Sequence, residues 1–373
     1  MVLPYQDLKK LIFGEQPMIL ANTPIEERQI QPASLDCRIG TAVYRMKFSG
    51  LPCGLRGGEE TVKSFIESNS MYAAQLRPGE SFVLERNVCY IIPLEERLML
   101  WDKFYAAFSP KSSIGRCDIF VRVITDKFAR YDSTRKGYHG LLYLEVIPLS
   151  FSARIIAGIS LVQLRIQEHS ETLGDSDLAL MHAEFGVLRH ANGHPLSSQE
   201  MEIEQNSILL HLDLSRDIVG FEALDTSIES VYLHAEHAHE VLEFWRPIRK
   251  EGRYIVLKEG KFYLLATKEY VKMPPSCCAE LMAYRTGQGE FRVHYAGFFD
   301  PGFGGEHGTA GVLEMRAHHT PVRLFDGQAL CAMQFQRMDS TPEKLYGEEK
   351  KSNYTAIGPS LSKHFLHREM VWQ

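Results

Sequence analysis

Apolar residues recur along this chain in short runs cut by Gly, Pro, Asn or Asp. Ile119–Thr125, Leu141–Ile147 and Leu161–Ile166 are short and rich in aliphatic or β-branched residues, as are Phe291–Tyr295 and Ala329–Phe335. Ser81–Pro93 and Lys261–Met273 are longer runs of the same kind, bounded by Gly and Pro. These patterns suit pleated, half-buried surfaces and predict strands. Helical spacing is confined to patches and predicts one helix over Tyr5–Phe13 and another over Ser227–Trp245. Many short strands with turns between them predict a mainly all-β fold of sandwich, jelly-roll or barrel type with a few short helices.

The pattern also repeats. Leu76, Gly79, Phe82, Leu84 and Pro93 recur as Leu257, Gly260, Tyr263, Leu265 and Pro274, a shift of 181. Leu144-Glu145, Arg154, Gly158 and Leu161 recur as Leu313-Glu314, Arg323, Gly327 and Leu330, a shift of 169. Two blocks, each in fixed register, predict two copies of one domain with different loop lengths. Residues 1–168 form the expected N-terminal copy and 201–338 the C-terminal one. A polar linker is expected over 169–200, and 339–373 reads as a flexible tail able to order over a ligand.

One stretch carries candidate chemistry. In Asp300-Pro301-Gly302, Pro fixes φ and Gly accepts a positive φ, which predicts a tight turn. The strand-like Val312-Leu313-Glu314-Met315 that follows sets one carboxylate among apolar residues. Glu314 reads either as a general acid/base or as the wet side of a half-exposed strand.

Composition narrows the class. The 373 residues are 45% hydrophobic with a formal charge of −6, ordinary for a globular protein and unsupportive of bulk nucleic-acid binding. The seven cysteines (37, 53, 89, 117, 277, 278 and 331) are odd in number and contain no C-x-x-C pair. Reduced thiols in a cytoplasmic protein are expected. No N-terminal signal pattern or long apolar run appears, so neither secretion nor membrane spanning is expected.

Further motifs are Pro32-Ala33-Ser34-Leu35-Asp36, Lys111-Ser112-Ser113-Ile114-Gly115-Arg116, Gly158–Leu164, and a tail holding Tyr346, Ser352-Asn353-Tyr354 and Gly358–Lys363. Taken together with the Asp-Pro-Gly-Phe turn, they resemble the deoxycytidine triphosphate (dCTP) deaminases, relatives of the trimeric dUTPases, in a tandem-domain form. The resemblance covers nearly the whole chain. It implies two tandem dUTPase-like barrel or jelly-roll domains and conversion of dCTP to dUTP and ammonia, for dUTP and dTTP synthesis. Two alternatives remain: a dUTPase or bifunctional enzyme, and a non-catalytic nucleotide-binding regulator on the same fold.

The resemblance also implies roles. Ser112 and Arg116 would polarise the reacting end of the base and hold the attacking water. Glu314, or alternatively Glu145, would be the general acid/base. Gln163 would contact phosphate and Asp300 would lie beneath the sugar. Lys111, Ser113, Gly302, Tyr346, Tyr354, Lys363 and Asp36 complete the expected substrate-binding set. The chemistry is expected to need no metal, with Mg2+ accompanying the triphosphate. Expected partners are dCTP or dUTP, no nucleic acid and no membrane, and a homo-oligomer, trimer or dimer, is possible.

The copies depart from the family pattern in complementary ways. Copy one keeps the Ser/Arg loop and Gln163 but has Tyr131–Gly137 in place of the turn. Copy two keeps the turn but has Ala283–Gly287 in place of the loop and Ala332 in place of the Gln. The expectation is a composite site, with Ser112, Arg116 and Gln163 from copy one and Asp300, Glu314 and the tail from copy two. This would resemble the single-chain herpesvirus dUTPases. His182-Ala183-Glu184 and His234-Ala235-Glu236 match half of a zinc-deaminase signature, but Cys277-Cys278 lacks the C-x-x-C spacing that would complete it. Asp36 and Arg38 read as a structural ion pair or as ligand contacts.

Overall fold

The computed structural model describes residues 1–52, 60–250, 252–283, 291–294, 297–348 and 359–366. Tyr354, and the 284–287 part of the stretch that replaces the Ser/Arg loop, lie outside the described residues. The chain divides into two compact units, Met1–Ser170 with Ile228–Glu236, and Glu171–Ser227 with His237–Gln373.

The first unit is built on an antiparallel sheet in the spatial order Ser70–Gln75, Ala42–Met46, Tyr90–Met99, His139–Pro148, Ile119–Thr125. A second sheet places Ser160–Gln167 between Leu35–Arg38 and Tyr105–Pro110, and a third places Ala153–Ile155 between Phe82–Leu84 and Val231–Tyr232. The second unit repeats this plan. Its large sheet runs Trp245–Arg249, Ile218–Ala223, Phe262–Val271, Thr309–Ala317, Phe291–His294. Ala329–Arg337 lies between Ile208–His211 and Cys277–Ala283, and Tyr254–Leu257 pairs with Val322–Phe325. The all-β architecture and its duplication are thus visible strand by strand.

The pairing fixes how the copies correspond. Ile91 opposes Glu145, and Leu264 opposes Glu314. Leu84 opposes Ala153, and Leu257 opposes Val322. The shift of 169 therefore holds for the second block, but the first block is shifted by 173 (Ile91 to Leu264, Leu84 to Leu257) and not 181. Turn chemistry explains the misregister. The true counterpart of Gly260 (φ 69°) is Asn87 (φ 60°), which tolerates the left-handed region through its short polar side chain. Gly79 (φ 79°) opens a separate turn with a similar downstream pattern.

The helix Tyr5–Phe13 forms as spaced, burying Tyr5, Leu8 and Ile12 on one stripe. No helix spans Ser227–Trp245. Residues 228–236 leave the second unit, and Val231–Tyr232 pairs in parallel with Ala153 and Arg154 of the first. Only Val241–Phe244 is helical, and Trp245 begins a strand. The stretch expected as a linker holds the helix Asp175–Phe185, which places Leu178 and Met181 in the second unit's core and ends on Gly186 at φ 60°. The end of the expected flexible tail is ordered by backbone bonds. His237 N donates to Lys363 O (2.9 Å), Leu366 N donates to His239 O (2.8 Å), and Leu361 and Phe365 are fully buried. Among the described residues no helix is long and apolar enough to cross a membrane.

Candidate active site

Each unit carries part of the expected set. In the first, the loop at 111–116 is a single helical turn, Ser112–Gly115, anchored where Lys111 N donates to Leu161 O (3.1 Å). Ser113 and Arg116 are buried, and Ser112 and Lys111 are half-buried. The Lys111 ammonium pairs with Asp36 Oδ2. Asp36, Gln163 and Ser109 lie side by side across three strands, and Ser34 Oγ donates to the Gln163 amide oxygen (3.1 Å). The structure thus brings Asp36, Lys111 and Gln163 to one small sheet beside the Ser/Arg loop. It does not pair Asp36 with Arg38. Arg38 Nε instead donates to the buried Glu96 (2.9 Å), and its backbone N–H donates to the same carboxylate (2.7 Å).

The two Leu-Glu carboxylates differ in their surroundings. Glu145 is fully buried in a row Ile91–Glu145–Arg122 across the large sheet. Arg122 Nη2 and Nε donate to Glu145 Oε1 at 2.6 and 3.1 Å, and Cys89 Sγ reaches Oε2 at 3.7 Å. Burial, and then the neighbouring Glu145 carboxylate, push the Cys89 thiol well above its ordinary pKa, so it stays protonated. Copy two has the row Leu264–Glu314–His294. Glu314 is buried, and its neighbours Leu313 and Met315 belong to the core cluster, so alternation turns Glu314 to the opposite face. The half-exposed-strand reading of Glu314 does not hold, since the residue is 6% exposed.

The turn beside it forms as expected. Gly302 has φ 86°, Asp300 is buried, and Tyr346 N donates to Pro301 O (2.9 Å). The Tyr346 ring lies 5.4 Å from that of Phe303, so the start of the tail packs directly on the turn. In copy one, Phe108 N donates to Asp132 O as Leu281 N donates to Gly297 O. Counted from there, Gly137 (φ 64°) takes the place of Gly302, and Arg135 the place of Asp300. Lys363 lies in the anchored tail segment, half-buried. His182 is spent structurally, one ring nitrogen meeting Leu196 O (2.8 Å) and the other Leu188 N (3.3 Å).

Sequence reasoning missed Arg122 and His294. The available signal for Arg122 was a single charged residue in the apolar strand Ile119–Thr125; Phe291–His294 also holds Arg292, so no such signal singled out His294.

Residues 1–170 match the family model of the 2'-deoxycytidine 5'-triphosphate deaminase (DCD) N-terminal domain, and residues 182–365 match that of the C-terminal domain. The crystal structure of 2'-deoxycytidine 5'-triphosphate deaminase from Agrobacterium tumefaciens is similar over 92% of this chain and 99% of its own, at 32% identity and a TM-score of 0.82. The dCTP deaminase of Natronomonas pharaonis is 31% identical over 174 residues, 45% of this chain and 84% of that protein. A relative from Dictyoglomus thermophilum, named dCTP deaminase, dUMP-forming, is 28% identical over 177 residues, 46% of this chain and 84% of its own. Less than half of this chain thus accounts for most of each of these two relatives, as a duplication requires.

Proposed function

This chain belongs to the 2'-deoxycytidine 5'-triphosphate deaminase family, and we propose that it hydrolyses the 4-amino group of dCTP to give dUTP and ammonia, with Glu314 as the proton carrier. The observation that carries the choice of Glu314 is its buried place in the unit that holds the turn. The Glu145 carboxylate is held twice by the Arg122 guanidinium, and Glu314 is buried in the unit that also carries the Asp300-Pro301-Gly302 turn.

A buried carboxylate moves protons both ways when its pKa lies near neutrality. Glu314 takes one proton from water as the oxygen bonds to C4, and delivers it to N3. It then carries the second proton from the new hydroxyl to the amine, which departs as ammonia when the C4–N bond breaks. Ser112 and Arg116 supply electrostatic stabilisation to the charge developing on the tetrahedral centre. The reading draws on both copies, because Arg285 and Thr286 replace the serines in copy two and Arg135 replaces the turn aspartate in copy one. No metal takes part in these steps, and Mg2+ arrives with the triphosphate. The setting is cytoplasmic nucleotide metabolism.

The test is a pair of variants assayed for ammonia release from dCTP. Glu314→Gln is expected to lower kcat roughly 100- to 10,000-fold, the usual worth of a general acid/base. Glu145→Gln is expected to keep kcat within about threefold, because its carboxylate makes no transition-state contact. Loss of turnover in Glu145→Gln alone overturns the assignment. The dUMP-forming name of the Dictyoglomus relative favours a second reading, in which buried Asp300 activates a further water for attack at the α-phosphorus and pyrophosphate leaves. Equal release of ammonia and pyrophosphate from dCTP would support it.

A further inference from the structure

The space beside the copy-one carboxylate is filled by the chain itself. The Arg122 guanidinium donates twice to Glu145 Oε1, at 2.6 and 3.1 Å, and once to Ser49 Oγ at 3.0 Å. Its central carbon lies 3.5 Å from the centre of the Tyr131 ring and 4.5 Å from that of Phe120. A flat N–C–N cation, gripped by a carboxylate along its edge and covered by aromatic faces, is the arrangement that recognises an amidine. The reacting end of cytosine, N3–C4–N4, is a group of that class.

Glu145 and Glu314 hold corresponding places, and the residue in register with them on the neighbouring strand changes from Arg122 to His294. We infer that Arg122 is a built-in plug: its guanidinium occupies a dormant amidine-binding pocket in copy one, so each chain keeps one working carboxylate. The single-site part of the inference rests on the reading of Glu314 given above, and the pocket part does not. An ordinary buried ion pair would neutralise Glu145 equally well, but its removal would leave no pocket shaped for a flat cation.

The full-length Arg122→Ala variant tests this with guanidinium chloride at low millimolar concentration, against sodium chloride at matched ionic strength. The expected result is a saturable rise in Tm, as for any ligand that binds only the folded state. No such rise is expected in the unaltered protein or in Arg122→Ala/Glu145→Gln. No saturable rise in Arg122→Ala, or the same rise in the double variant, overturns the plug. Calorimetric titration of the unaltered protein with dUTP needs no mutation and covers the case of a variant that does not fold. One nucleotide per chain is expected, and two overturn the inference. No binding at all would count against the proposed function and leave the guanidinium arm to decide the pocket.

Discussion

Arg38 and His211 hold corresponding places in the two copies, and so do their partners Glu96 and Glu269. The backbone N–H of each basic residue donates to the carboxylate, at 2.7 and 2.8 Å, and its side chain closes a second contact, at 2.9 and 2.6 Å. The difference is that arginine keeps its charge at any working pH and histidine does not. The bond to Glu269 raises the His211 pKa above its ordinary value, with Glu202 at 3.5 Å adding to the effect and burial opposing it. Buried Cys331 also lies in the Glu269 field, its thiol pushed up chiefly by burial. A basic group whose pKa rises on folding stabilises fully below its unfolded value, about 6.5, and that contribution disappears as pH climbs through the folded value. The Tm gap between the unaltered protein and His211→Gln should therefore be widest below about pH 6.5 and narrow towards pH 9. A gap constant across that range would show that the pair does not titrate there. Glu145 instead meets a guanidinium that keeps its charge at any working pH. Replacing it leaves a partly buried guanidinium unanswered, so Glu145→Gln should lose about 3–5 kcal/mol in urea unfolding while keeping its turnover.

At the scale of elements, the turns decide what the strands can present. Gly302 shows this most directly, since a Cβ there would stand 2.8 Å from Leu345 Cβ and 3.1 Å from Tyr346 N, at a φ of 86°. Backbone strain of this kind costs about 1–3 kcal/mol, and the contact would also push Tyr346 off the turn. Gly302→Ala should lower Tm and reduce kcat/KM for dCTP together, whereas Gly260→Ala, with open space around its Cβ, should affect Tm alone. Equal kinetic effects from the two changes would contradict a role for the Tyr346 contact. The same turns explain how far the sequence could be read. Ile119–Thr125 and Tyr5–Phe13 form with the predicted bounds because their periodicity is local and unbroken. The Asp-Pro-Gly turn was legible because Pro fixes φ at its second position and Gly takes the positive φ of its third without steric cost. The first-block register was not, because Asn87 makes its turn without glycine, and a Leu-x-x-Gly-x-x-aromatic-x-Leu pattern fits any strand entered by a turn. Arg122 escaped notice because its meaning lies in a residue 23 positions away, brought alongside only by strand pairing.

At the scale of the whole molecule, the division of the chain is not a single cut. Residues 228–236 belong by sequence to the second copy, yet they complete the first unit. Val231 N donates to Ser152 O and Leu233 N to Arg154 O, both at 2.9 Å, and the Arg154 guanidinium lies 5.2 Å from the Tyr232 ring. The counterpart of this edge in the second unit is the strand Val322–Phe325, which among the described residues pairs only with Tyr254–Leu257. A two-residue strand carries no periodicity, and the helical spacing of its surroundings pointed elsewhere, so nothing local could reveal the exchange. It nevertheless has a consequence that can be measured. Proline at 231 removes the N–H that bonds Ser152 and withdraws the added strand from the sheet edge. In Val231→Pro, amide hydrogen exchange should accelerate at Leu233 and in the flanking Phe82–Leu84 and Ala153–Ile155 ladder, about 75 residues or more from the substitution. Exchange that changes only between 218 and 250, with Ala153–Ile155 as protected as before, would mean that the segment serves the second unit and that the copies divide as their sequences do.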